Sequence, residues 1–103
     1  EYAISKETSL LDEAWTRLST NGAVAYGPEA LAKAMDEGAI EVFLITADLL
    51  RNQDQRIKGK SWAIWAEGLA DIGATMIQCS VDHDAGQQLV GMGGAIALLR
   101  YAM

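Results

Sequence analysis

At 103 residues, half of them apolar and about a fifth charged, the chain has the size and balance of one globular domain, which excludes a long disordered tail. Fourteen acidic residues against eight basic ones leave a net charge of −6, so the domain as a whole repels nucleic-acid phosphates and anionic membranes, and a basic partner suits it better. The lone Cys79 excludes an internal disulfide framework or a Cys-based zinc site; with no spanning or signal pattern, it points to a reducing, cytoplasmic setting.

In chain order, residues 5–19 place Leu11, Ala14, Trp15 and Leu18 at the i, i+3, i+4, i+7 spacing of an amphipathic helix, with Asn21-Gly22 as its stop. The chain opens directly on this helical pattern at Glu1, as a segment cut from a longer protein would. Residues 23–26 are too few for a helix before Gly27-Pro28 and read as a short strand; Pro28 opens a second helix reaching Glu37, and Gly38 supplies its left-handed end. Residues 40–46 are β-branched and large apolar side chains, the pattern of a buried strand. Leu49-Leu50-Arg51 predicts one helical turn, and residues 52–60 a polar, solvated connection. Ser61 is expected to cap a third helix ending at Gly73, with Trp62, Trp65, Ala66, Leu69 and Ile72 on one face. Residues 75–80 predict a strand, Asp82 or Asp84 the cap of a short helix carrying Leu89 and Met92, and Gly93-Gly94 the turn into a last strand over residues 95–101. Strands alternating with helices predict a single α/β domain whose sheet, largely parallel or mixed, is covered by helices on both faces.

Asp82, His83 and Asp84 form the one cluster that could pair an imidazole with carboxylates, and they sit just past a strand, where α/β proteins place active residues. The plainer assignment is a helix cap beside a histidine satisfied by backbone groups. Neither a second histidine nor a nucleophile motif accompanies them, so no catalytic constellation and no metal site is expected. Gly91-Met92-Gly93-Gly94 closes a helix and feeds a strand, the reverse of a phosphate-binding loop. Arg51, Arg56, Lys58 and Lys60 fall in the polar connection and read as its solvated charge. Trp62 and Trp65 read as core, and Trp15 as core with part of its apolar face open to a partner.

Ala25-Tyr26-Gly27, Gly38-Ala39-Ile40-Glu41, Leu44-Ile45-Thr46, Asp48-Leu49-Leu50-Arg51, Ser80, His83, Gly86, Gln88-Leu89 and Gly93-Gly94 through Leu99-Arg100-Tyr101 form an ordered series over nearly the whole chain. That series resembles the C-terminal (third) domain of Pelota, most closely in its archaeal form. The C-terminal domain of class one peptide release factors is similar in the Tyr-Gly, Gly-Ala and Leu-Arg-Tyr segments, but carries a small subdomain for which residues 52–60 leave no room. Ala95-Ile96-Ala97 departs from the family, which places the isoleucine directly after the glycines, and shifts the facing of that strand.

The resemblance implies a three-layer α/β/α sandwich with a central mixed sheet of about four strands, similar to kink-turn-binding ribosomal proteins. It implies a protein-docking domain of an mRNA surveillance and ribosome-rescue factor acting in no-go decay. Its partner would be a GTPase of the elongation factor one-alpha type, with the ribosome and a subunit-splitting ATPase met through the full-length protein. The N-terminal and middle domains would be absent from this chain, and with them the mRNA endonuclease activity and divalent metal ascribed to the family. This domain is therefore expected to be no enzyme and to need no cofactor. By analogy with the first helix of the release-factor domain, Leu11, Trp15 and Leu18, with Tyr26 nearby, are the expected partner-binding residues. The alternatives are a release-factor C-terminal domain and a kink-turn-type RNA-binding module; the acidic charge argues against direct RNA contact.

Overall fold

The computed structural model describes residues 2–20, 22–52, 54, 56–82 and 84–101, with residues 2–7 and 85 by backbone only. Helix α1 (Tyr2–Ser19) starts three residues earlier than expected and closes when the Gly22 N–H donates to the Arg17 carbonyl at 2.6 Å. β1 (Val24–Tyr26) leads to Pro28, whose missing N–H costs nothing in the first turn of α2 (Pro28–Asp36). Gly38 then takes φ +65° and turns the chain into β2 (Ile40–Thr46), the strand expected over those residues. Thr46 is both the last residue of β2 and the cap of α3 (Ala47–Arg51): its buried hydroxyl accepts from the Leu49 N–H at 3.3 Å.

The expected solvated connection is instead a hairpin, β3 (Arg56–Ile57) against β4 (Lys60–Ser61), with Arg56 opposite Ser61 and Ile57 opposite Lys60. Its two-residue turn holds Lys58 at φ +52° and Gly59 at φ +77°, the left-handed pair of a type I′ turn, which matches the twist of the flanking strands. Ile57 is buried in the core, so a single apolar residue in a polar stretch anchors the hairpin.

Ser61 caps the next helix as expected, accepting from the Ile64 N–H at 3.4 Å, but the α-helical part is only α4 (Trp62–Ala66). It tightens into a 3-10 turn (Glu67–Ile72) ending at Gly73, which still brings Trp62, Trp65 and Leu69 into the interior. β5 (Thr75–Cys79), α5 (Asp84–Gly91) and β6 (Ala95–Leu99) complete the chain. Helix α5 begins at Asp84, so Asp84 lies in its first turn, where a carboxylate complements the helix dipole, rather than at its cap; Asp82 lies before it. The last strand ends at Leu99, and Arg100 still reaches across to the residue before β2: its N–H donates to the Ala39 carbonyl at 2.8 Å, and its guanidinium donates to the Ile72 carbonyl at 2.8 Å.

Among the described residues the main sheet has four strands in the order β1-β6-β2-β5, with β2 and β5 parallel and the other pairings antiparallel. The mixed three-layer α/β/α sandwich implied by the resemblance is thus the fold observed. A parallel pair cannot be closed by a tight turn, so residues 47–74 cross over one face and carry α3, the hairpin and α4 with them. That face packs Leu31, Phe43, Ile45, Trp62, Trp65 and Leu69 into one core, with the Phe43 ring 5.3 Å from Trp65 edge-on and 6.4 Å from Trp62 stacked. On the opposite face, α1 and α5 cover Leu44, Cys79, Ile96 and Leu98 with Leu11, Ala14 and Leu89. β6 lies between two strands, and every one of its residues is buried: Ala95, Ala97 and Leu99 fill the first core, Ile96 and Leu98 the second. The shifted isoleucine at 96 therefore exposes nothing.

Candidate docking surface

Helix α1 is the element expected to meet a partner, and the structure divides its apolar residues into two sets. Leu11 is fully buried, as is Ala14; Leu11 is a core residue, not a contact residue, because β6 and α5 already occupy its surroundings. Leu10, Trp15 and Leu18 are half-buried at the margin of the same cluster, with apolar surface left over. The buried indole N–H of Trp15 has no acceptor among the described residues. Tyr26, on the edge strand β1, is 48% exposed and lies outside this cluster. Alternation along the strand puts Tyr26 on the same side as Val24, which packs into the α1 cluster, and opposite to Ala25. Trp15, Leu18 and Tyr26 thus belong to one side of the sheet, and Leu11 lies beneath.

Arg17 fixes this face, and its role was not legible in the sequence. Its guanidinium donates to the Ala23 carbonyl at 2.9 Å and the Leu99 carbonyl at 3.1 Å, and pairs with Glu13 one turn earlier. These bonds tie the end of α1 to β1 and β6. The helix-spaced Glu13–Arg17 pair was the only local signal, and it gives no hint of an acceptor 82 residues away.

A second concavity, of about 270 Å³, lies at the C-terminal ends of the parallel strands β2 and β5 and is lined by Ala47, Asp48, Gln78, Cys79, Ser80, Val81 and Asp82. Asp82 and Asp84 are exposed, and His83 lies outside the described residues. The turn itself is knit by local bonds: the Asp82 N–H donates to the Ser80 hydroxyl at 3.2 Å and the Gln87 amide to the Val81 carbonyl at 2.6 Å. Gly86 makes this packing possible, since a Cβ there would overlap the Ser80 carbonyl oxygen and stand 2.9 Å from Val81 Cα. No group of three His, Cys, Asp or Glu side chains that could hold a metal is found among the described residues. No helix among them is long and apolar enough to cross a membrane.

The basic cluster is the third surface. Arg51, Arg56, Lys58 and Lys60 are all exposed; Lys58 pairs with Asp36 of α2 at 2.7 Å and Arg51 with Asp48 at 3.2 Å.

The chain matches the model of the family described as eRF1 domain 3 over residues 4–103. It is 38% identical over 101 residues to a protein pelota homolog of Methanocorpusculum labreanum, covering 98% of this chain and 28% of that protein. Among solved structures it superimposes with a TM-score of 0.83 on Saccharomyces cerevisiae Dom34, described as a translation termination-like factor that is involved in RNA quality control pathways and interacts with Hbs1. That match is 25% identical and covers 96% of this chain and 28% of Dom34. A model of ribosome-bound archaeal Pelota and ABCE1 matches with a TM-score of 0.84 at 22% identity, covering 99% of this chain and 28% of that one. The chain therefore spans under a third of the length of these relatives.

Proposed function

Because this chain belongs to the eRF1 domain 3 family, we propose that it is the protein-docking domain of a Pelota-like mRNA surveillance and ribosome-rescue factor, and that it binds a translational GTPase of the elongation factor one-alpha type. The observation that carries the docking role is the division of α1: Leu11 and Ala14 complete the core, yet Leu10, Trp15 and Leu18 keep apolar surface that the domain does not cover. Support for the class of partner comes from Dom34, which interacts with Hbs1, and from the archaeal Pelota bound to the ribosome with ABCE1. On the same reading, the subunit-splitting ATPase and the ribosome are met through the full-length protein, in the cytoplasm.

The domain acts here by binding and not by chemistry, and it uses no cofactor. The exposed carboxylates of Asp82 and Asp84 and the locally bonded Ser80 turn support a structural role for that segment. Calorimetric titration with the GTPase, loaded with a non-hydrolysable GTP analogue, tests the proposal. Binding by the native chain that is lost in Leu18→Lys, with the thermal midpoint retained, supports it. A native chain that does not bind, or a variant that binds equally, refutes the α1 surface.

A further inference from the structure

Positive charge in this molecule is concentrated on one short stretch, the end of α3 and the hairpin that follows it. Residues 51–60 hold four of the chain's eight basic residues and one of its fourteen acidic ones, a net of +3 in a chain of −6, so the remaining residues carry −9. In a flexible loop this would be diffuse, solvated charge. Here Ile57 is buried, the type I′ turn sets the strand pair, and the Lys58–Asp36 ion pair ties the tip to α2. Arg56 and Lys60 project from that fixed frame. Both are exposed, and neither makes an ion pair or side-chain hydrogen bond among the described residues.

The total charge does not decide what such an element binds. At physiological salt, screening acts over about 8 Å, whereas the domain measures 32 × 30 × 22 Å. Carboxylates on the far side are several screening lengths away, and a ligand at the hairpin responds to the local field, in which Asp36 offsets Lys58, Asp48 offsets Arg51, and Arg56 and Lys60 stand near the exposed Asp54. The exposed side chains described between residues 51 and 60 are all polar or charged, with no aromatic or apolar anchor. An acidic protein surface would need such an anchor for affinity. Phosphate binding needs none, because its driving force is counterion release. The lack of an aromatic to stack on bases likewise fits contact with backbone phosphates rather than sequence readout.

We infer that the β3–β4 hairpin is a contact for the RNA phosphate backbone, with Arg56 and Lys60 as its free cationic groups. The inference rests on the ribosomal reading above, since a ribosome presents largely RNA phosphate to a factor working on it. It localises to one element the RNA contact that the net charge opposes for the domain as a whole.

Fluorescence anisotropy of a labelled RNA duplex, titrated with the chain between about 50 and about 200 mM salt, provides the test. Two cationic contacts predict that log affinity falls against log salt with a slope near −2, and that Arg56→Glu/Lys60→Glu brings this slope close to zero. At the low-salt end the double variant should bind at least roughly tenfold more weakly. The charge-preserving Arg56→Lys/Lys60→Arg should retain binding. No binding by the native chain at low salt, equal binding by the glutamate variant, or tighter binding of a polyglutamate peptide than of the duplex would each overturn the inference. Docking of the GTPase, titrated in parallel, separates the two proposals. RNA binding lost in the glutamate variant with docking intact supports the hairpin contact, while RNA binding without any docking upholds the hairpin and counts against the docking reading alone.

Discussion

Leu11 and Leu18 lie seven residues apart on one helix and carry different burdens. Leu11 is fully enclosed, so Leu11→Ala should cost about 2–5 kcal/mol through lost burial and a residual cavity, measurable as a lower urea midpoint at unchanged slope. Leu18 is half-buried at the margin, so Leu18→Lys, whose stem can still lie along the apolar rim, should stay within about 1 kcal/mol of the native chain while removing partner binding. Both residues sit at helical spacing on the apolar stripe, and the sequence alone ranked them equally as contacts. Gly86 shows the reverse case. Its place in the recognised series was legible, but the reason, the Ser80 carbonyl against its Cα, was not. Gly86→Ala should destabilise the domain by about 1–3 kcal/mol through overpacking, read from the same urea titration.

At the level of elements, the turns and caps carry more of the design than helix propensity does. Thr46 ends β2 and starts α3 with one hydroxyl, so Thr46→Val, nearly equal in volume, should cost about 1 kcal/mol by leaving the Leu49 N–H unsatisfied. A thermal melt or urea midpoint checks this. In the hairpin, Gly59 has open space around it, so Gly59→Ala tests backbone conformation alone; a cost of about 1 kcal/mol is expected from its φ of +77°. Elements marked by long periodic runs, such as β2, α2 and most of α1, stand where their patterns put them. The two-residue strands of the hairpin do not, since each is too short to show a period and the pair is anchored by the burial of Ile57; the third helix ends at Gly73 as its period implies, but its last part is 3-10, a distinction that apolar spacing does not carry.

At the scale of the molecule, the three layers separate the candidate surfaces. The α1 rim lies on one face of the sheet, whereas the hairpin belongs to the crossover that covers the other. Substitutions more than about 7–10 Å apart with no shared partner act nearly additively. Combining Leu18→Lys with Arg56→Glu/Lys60→Glu should therefore abolish GTPase docking and RNA binding without either change altering the other readout. A triple variant whose melting point fell far below the sum of its parts would show that the two faces are coupled through the sheet.

The residues themselves determined the α/β class, the sheet with helices on both faces, the succession of the main strands along the chain, and the family. These rest on local information: hydrophobic period, the positions of Pro28, Gly38, Ser61 and Gly73, and an ordered series of short motifs. Only the tertiary structure decided which apolar residues of α1 the core would consume, that Arg17 would clasp a strand end far along the chain, and that a polar segment would become an anchored cationic hairpin. Each of those outcomes depends on what a neighbouring element places opposite a side chain, and a residue's own neighbours in sequence carry no record of that.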